Sequence, residues 1–119
     1  MCMNISMKEL LRINHGFGGN LRSGSSIDFA LYQAQNKKIG PYKKLAHLWR
    51  AILVDHPFSD GNKRTAAFNA FEFAQENNKE IRERDLLVHH IISIAKQNIH
   101  NLRNIEWRIK SIIKWNKVK

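Results

Sequence analysis

Within nine residues, His56-Pro57-Phe58-Ser59-Asp60-Gly61-Asn62-Lys63-Arg64, the chain gathers a base, a carboxylate, a flexible glycine, an amide and two cations. These types at this spacing suit the capture of a phosphate chain and its metal ion. Arg64 can grip a phosphate through two parallel hydrogen bonds, and Lys63 adds a point charge. Gly61 removes side-chain bulk where the backbone must approach an oxyanion. Asp60 would repel phosphate unless a cation lay between them, and magnesium satisfies that condition with one or two carboxylates plus phosphate oxygens. Asn62 can bond either the phosphate or the turn itself. His56 carries an imidazole that can accept a proton from an attacking hydroxyl. Phe58, flanked by polar positions, is expected to plug into the core and fix the turn.

Two other readings of the segment are open. A Walker A loop, G-x-x-x-x-G-K-[ST], is excluded, because the residue five before Gly61 is His56 and no strand is expected upstream. A merely polar turn between helices fits each residue singly, but not all of them together in this order.

The flanking elements must aim this turn. Upstream, Leu45, Leu48, Trp49, Ile52 and Leu53, with Ala46, Ala51 and Val54 on other sides, predict a helix buried over most of its circumference. Pro41 suits its first turn, and Pro57 should stop it near Asp55. Downstream, Ala67, Ala70, Phe71 and Ala74 at i, i+3, i+4, i+7 spacing, with Phe68 and Phe73, predict a second helix, expected to be the central one. The turn thus closes one helix and opens another, whose N-terminal amides and partial positive charge favour anions.

Further out, Ser6-Met7-Lys8-Glu9 reads as a capping box opening a short helix that ends before Gly16. His15-Gly16-Phe17-Gly18-Gly19-Asn20 lacks G-x-G-x-x-G spacing and a preceding strand, and reads as a turn. Ser25 or Ser26 is expected to cap a helix through Ile27, Phe29, Ala30, Leu31 and Ala34. Asn36 to Tyr42 is an exposed loop or hairpin. Gln75 to Lys79 ends the central helix. Arg84 or Asp85 opens a helix with Leu87, Val88, Ile91, Ile92, Ala95 and Ile99 inward. Its adjacent His89 and His90 point about 100° apart and make a poor metal pair. Asn104 is expected to cap a last helix through Ile105, Ile109, Ile112 and Ile113, with Trp107 and Trp115 as core or rim residues. No strand-length alternation and no repeat is visible. The expected fold class is all-α, a compact bundle of about six helices in a single domain spanning 1–119.

Composition bounds the partners. With 43% hydrophobic and 25% charged residues, the chain is globular rather than disordered. No apolar run reaches a membrane span, the N-terminus lacks a signal-peptide core, and the lone Cys2 suits a reducing compartment, so a cytoplasmic location is expected. The net charge of +10 favours anionic partners. The cations are scattered, at Lys37-Lys38, Lys43-Lys44, Lys110, Lys114, Lys117 and Lys119, and no nucleic-acid signature accompanies them, so nucleic acid is not expected as a partner.

The segment His56 to Arg64 resembles the signature of Fic/Doc proteins, H-x-F-x-[DE]-[GA]-N-[GK]-R, at every defined position. A looser likeness runs from about Gly19 to Trp115. The resemblance implies a compact helical Fic-like fold, ATP and Mg2+ as cofactors, and transfer of a phosphate-bearing group to a Ser, Thr or Tyr hydroxyl of a target protein. Under it His56 is the general base and Asp60 holds magnesium. Gly61, Asn62 and Lys63 form the anion hole, and Arg64 clamps a phosphate. By position alone, Lys38, Ile39 and Gly40 fall in the flap that holds the target segment beside the site.

Lys63 stands where the adenylylating branch has glycine, and Ala67 where that branch has a second arginine. Both changes resemble the Doc branch and favour phosphoryl over adenylyl transfer. Gly61, often alanine in Doc proper, leans the other way. The family's self-inhibitory motif, [ST]-x-x-x-E-[GN], finds only Glu76-Asn77, preceded by Glu72 where Ser or Thr should stand. A separate antitoxin-like partner, as in a toxin–antitoxin pair, or self-association is therefore expected to regulate the protein. The remaining alternative is a catalytically silent nucleotide-binding adaptor.

Overall fold

The computed structural model describes residues 5–115; Cys2, Lys117 and Lys119 lie outside them. Among the described residues the chain forms six helices and one two-stranded sheet: α1 (Met7–Gly16), α2 (Ser25–Ala34), α3 (Pro41–Leu53), α4 (Asn62–Glu76), β1 (Lys79–Ile81), α5 (Arg84–Gln97), α6 (Leu102–Ile112) and β2 (Ile113–Trp115). The compact all-α bundle expected from the sequence is what the chain builds, with the sheet as a small addition. No helix of the described residues is long and apolar enough to cross a membrane.

Ser6 Oγ accepts from the Glu9 amide at 3.2 Å and caps α1 as expected. Two other caps differ. Gly24, rather than Ser25 or Ser26, occupies the cap of α2 and makes no side-chain bond. The cap of α6 is Asn101, three residues earlier than expected: its Oδ1 accepts from the Asn104 amide at 2.9 Å.

The central helix is α3 rather than α4. Nine of its thirteen residues are buried, against six of fifteen in α4, and it packs on α2, α4, α5 and α6. In α4 the buried stripe is Ala66, Asn69, Ala70, Phe73 and Ala74, while Phe68 and Phe71 face outward at 40% and 38% exposure. Ala70 and Ala74 lie on the expected stripe, but Ala67 and Phe71 do not, because the face α4 buries is set chiefly by α3, with α5 and α1 covering less of it. Phe29 on α2 is exposed as well, and so are Val88 and Ile92 on α5, which were expected to face inward.

β1 and β2 pair antiparallel, Lys79 opposite Trp115 and Ile81 opposite Ile113. The buried Lys79 lays its Nζ 3.4 Å from the Trp115 ring centroid, a cation–π contact that helps close the C-terminal end. Ile113, expected to continue α6, instead joins this sheet; three-residue strands are too short to show alternation in sequence.

Candidate active site

The segment between α3 and α4 is held in place from both of its ends. Trp49, fully buried on α3, donates its Nε1–H to the Ala66 carbonyl at 3.1 Å and sets the first turn of α4 against α3. Phe58 is fully buried. Its backbone is clasped by Asn62: the Phe58 amide donates to Asn62 Oδ1 at 3.2 Å, and Asn62 Nδ2 donates to the Phe58 carbonyl at 3.0 Å. The Asn62 side chain therefore serves the turn, one of the two options open from sequence, and what it can offer an anion is its backbone amide.

The glycine-rich stretch after α1 forms the other support. Buried Asn14 donates through Nδ2 to the Asp60 carbonyl at 2.8 Å and to Thr65 Oγ1 at 3.1 Å, bridging the turn and the first turn of α4. Ser59 donates its amide to the Asn20 carbonyl at 2.8 Å, and the Asn20 amide returns a bond to Ser59 Oγ at 3.0 Å. The Pro57 carbonyl accepts from Arg22 at 2.7 Å and from Ser23 at 3.2 Å, and Leu21 bridges Phe58 as in a short antiparallel ladder. At Gly19 an added Cβ would collide with the Asp60 carbonyl oxygen and Asn14 Oδ1, so glycine alone allows this approach.

Two residues of the turn sit in the left-handed region. Gly61, the N-cap of α4, has φ +74°, and a Cβ there would lie 3.0 Å from Phe17 Cβ and 3.1 Å from Asn14 Nδ2. His56 has φ +50° although it is neither glycine nor asparagine and precedes proline. Such a conformation costs about 1–3 kcal/mol and persists only where the surroundings over-determine it.

The result is a cleft of ≈ 300 Å³ lined by His56, Ser59, Asp60, Gly61, Asn62, Lys63 and Arg64. Among the described residues the sequence-expected group His56, Asp60, Gly61, Asn62, Lys63 and Arg64 is thus brought together. By helix geometry the amides of Asn62, Lys63 and Arg64 have no carbonyl four residues back to bond. The Gly61 amide donates to Asp60 Oδ1 at 2.7 Å. Lys63 and Arg64 are exposed, and Asp60 is the one carboxylate in the lining. No cluster of three metal-ligating side chains occurs among the described residues. A metal here would rest on one protein carboxylate and complete its shell with phosphate oxygens and water, a donor set that fits magnesium bound with a nucleotide.

Lys38, Ile39 and Gly40 do not join the cleft. The N-terminus of α2 lies beside the turn, where Ser23 meets Pro57, and the chain then runs away along α2 and returns along α3. At 1.5 Å per residue these helices, ten and thirteen residues long, put the connector roughly 15–20 Å from His56. The connector closes on itself, with the Lys38 amide on Asn36 Oδ1 at 2.9 Å and the Ile39 amide on the Asn36 carbonyl at 3.1 Å. It is the exposed loop rather than the hairpin of the two forms expected, and Lys38, Ile39 and Gly40 lie apart from the cleft lining in the free chain.

Asn14, Gly19, Asn20, Arg22 and Trp49 were missed from sequence as parts of this site. A signal existed: Asn14 is a polar residue on the apolar face of α1 with Leu10 and Ile13, and it precedes the Gly16, Gly18, Gly19 run.

Comparison with curated proteins and with solved structures finds no match. The profile of the Fic/DOC family matches residues 7–74, from the start of α1 to the last turns of α4, and so spans the cleft together with the elements that hold it. By that match, over more than half of its length, the chain belongs to the Fic/DOC family.

Proposed function

We propose that this protein transfers a phosphoryl group from ATP to a Ser, Thr or Tyr hydroxyl of another protein. The observation that carries the reading is the cleft itself, where a base, a lone carboxylate, two exposed cations and the unpaired amides of a helix start converge. In the proposed step the target hydroxyl gives its proton to His56, its oxygen bonds to the γ-phosphorus, and ADP leaves with the bridging oxygen's electrons. His56 is exposed and lines the cleft, where a target hydroxyl could come within hydrogen-bond reach of it. Arg64 and Lys63 would hold phosphate oxygens, with the amides of Asn62 and Lys63 behind them. Asp60 would hold magnesium, which when bound offsets the charge of the transferring phosphate.

Transfer of the γ- rather than the α-phosphorus follows from which way the nucleotide lies. Lys63 fills space and adds charge where a glycine would leave room for a phosphate, and Ala67 provides no second clamp. Gly61 does not argue against this. Its positive φ and the crowding by Asn14 and Phe17 give it a local reason to be glycine whatever the nucleotide does.

Regulation by a separate antitoxin-like partner or by self-association completes the proposal. Glu76 ends α4, roughly 20 Å along the helix from Asn62, too far to reach its own cleft.

ATP labelled at the α- or the γ-position, incubated with the protein and cell lysate, tests the reading against a His56→Ala control. Label moving from the γ-position in a His56-dependent way is the expected result. Label moving from the α-position alone replaces phosphoryl with adenylyl transfer. Nucleotide binding with no transfer from either position makes the protein an adaptor.

A further inference from the structure

We propose that Arg22 is a positioning residue that holds the His56 backbone in its left-handed conformation and so aims the imidazole into the cleft. The catalytic consequence rests on the transferase reading above; the conformational claim does not.

The residues after His56 each have their own restraint. Pro57 has two amide donors on its carbonyl, Phe58 is buried and clasped by Asn62, and the Asp60 carbonyl is held by Asn14. His56 lies outside that frame. It is exposed, it follows the end of α3, and it adopts φ +50° directly before a proline. Its position before Pro57 favours extended backbone regions. Its carbonyl accepts from Arg22 Nη2 at 3.3 Å. The Arg22 amide meanwhile bonds the Pro57 carbonyl at 2.7 Å, so one residue grips two consecutive carbonyls, one through its backbone and one through its side chain.

This grip has a chemical purpose. If His56 relaxed to an extended conformation, its Cα–Cβ bond would swing and carry the imidazole away from the cleft, and small displacements of a catalytic base cost large factors in rate. A guanidinium suits the task because its planar fork stays charged and can approach a carbonyl edge-on with little loss of freedom. Arg22 lies 34 residues before His56 in sequence, on the loop between α1 and α2, which is why no local pattern marks it.

Two measurements on the full chain test the proposal. In the first, nuclear magnetic resonance of wild type, Arg22→Ala and Arg22→Lys reads the His56 backbone carbon shifts and the amide–Hα coupling, which report φ without any need for activity. Left-handed values are expected in wild type and Arg22→Lys, and a shift toward extended values in Arg22→Ala, with the rest of the spectrum unchanged. Left-handed values retained in Arg22→Ala would overturn the proposal, as would a global spectral change showing that Arg22 merely supports the fold.

In the second, label transfer from ATP is followed as kcat and KM. Arg22→Ala should lower kcat about tenfold, as expected for a displaced base, while KM for ATP stays within about twofold and Arg22→Lys restores most of the rate. A raised KM with unchanged kcat would make Arg22 a phosphate contact instead and would sink the positioning role. Should the wild type transfer nothing while the resonance result holds, the transferase reading fails and the conformational inference stands.

Discussion

The loops at the two ends of α3 are built from similar residue types. One carries Lys37-Lys38, Ile39, Gly40 and Pro41; the other carries Pro57, Phe58, Gly61 and Lys63-Arg64. Yet Ile39 is only half-buried and its loop bonds to itself, while Phe58 is fully buried and its loop bonds to α1, to the loop after α1 and to α4. The first is a connector and the second a cleft. Their shared cation pairs, glycine, proline and single large apolar residue do not separate them. What does is restraint from distant chain: Asn14, Asn20 and Arg22 hold residues more than thirty positions away, so that polar groups which would otherwise sample many conformations face one volume. Holding groups in place before a ligand arrives is also what makes such a cleft able to do chemistry.

The largest expected difference between the two loops is in rate. His56→Ala should lower transfer by roughly 10²–10⁴-fold, the usual worth of a general base, and leave stability unchanged because the side chain is exposed. Lys38→Ala should leave transfer within about twofold; an equal loss from Lys38→Ala, by the same label assay, would return the flap role to the far connector.

In stability the contrast should be nearly as large. Phe58→Ala is expected to cost about 3–5 kcal/mol in urea unfolding, through the lost burial and the cavity left behind. Ile39→Ala, half-buried at the other end, should cost about 1 kcal/mol or less. If the two substitutions cost the same, Phe58 does not pin its loop as described.

A smaller and more local test uses the glycines. Gly19→Ala should destabilise by about 1–3 kcal/mol, since its Cβ meets the Asp60 carbonyl and the Asn14 side chain in a packed place. Gly40→Ala, with no atom within 4 Å of the added Cβ and φ −69°, should stay within about 0.5 kcal/mol of wild type. Thermal midpoints compared at one protein concentration read both.

The smallest effect concerns the helix the loops share. Burial, and then the charges of Arg50 and Lys43, hold the His47 imidazole on α3 below its ordinary pKa. His90 on α5 is lowered likewise by burial, then by Arg108, whose Nη1 lies 2.9 Å from His90 Nδ1, and by His89. With folded values below the unfolded value of about 6.5, the unfolded chain binds protons first, so stability present above that pH falls as pH drops below it. Urea midpoints measured between pH 8 and pH 5 should show this decline, and His47→Gln should flatten part of it.

The sequence by itself determined a good deal of this protein. The spacing of apolar residues located all six helices, because a 3.6-residue period repeats several times within each. The nine residues His56 to Arg64 stood out because they are contiguous, and a helix start needs nothing distant to present its amides. Tertiary structure alone decided the rest. It chose α3 over α4 as the central helix and turned Phe68 and Phe71 outward, since which face of a helix is covered depends on its neighbours and not on its own period. It formed β1 and β2, whose six residues acquire meaning only by pairing across more than thirty positions. It moved Lys38, Ile39 and Gly40 to the far end of α3. Asn14, Gly19 and Arg22, which look like part of a surface turn when read in order, it made the frame of the cleft. Hydrogen bonds between residues far apart in the chain leave no local periodicity, so only the fold could reveal them.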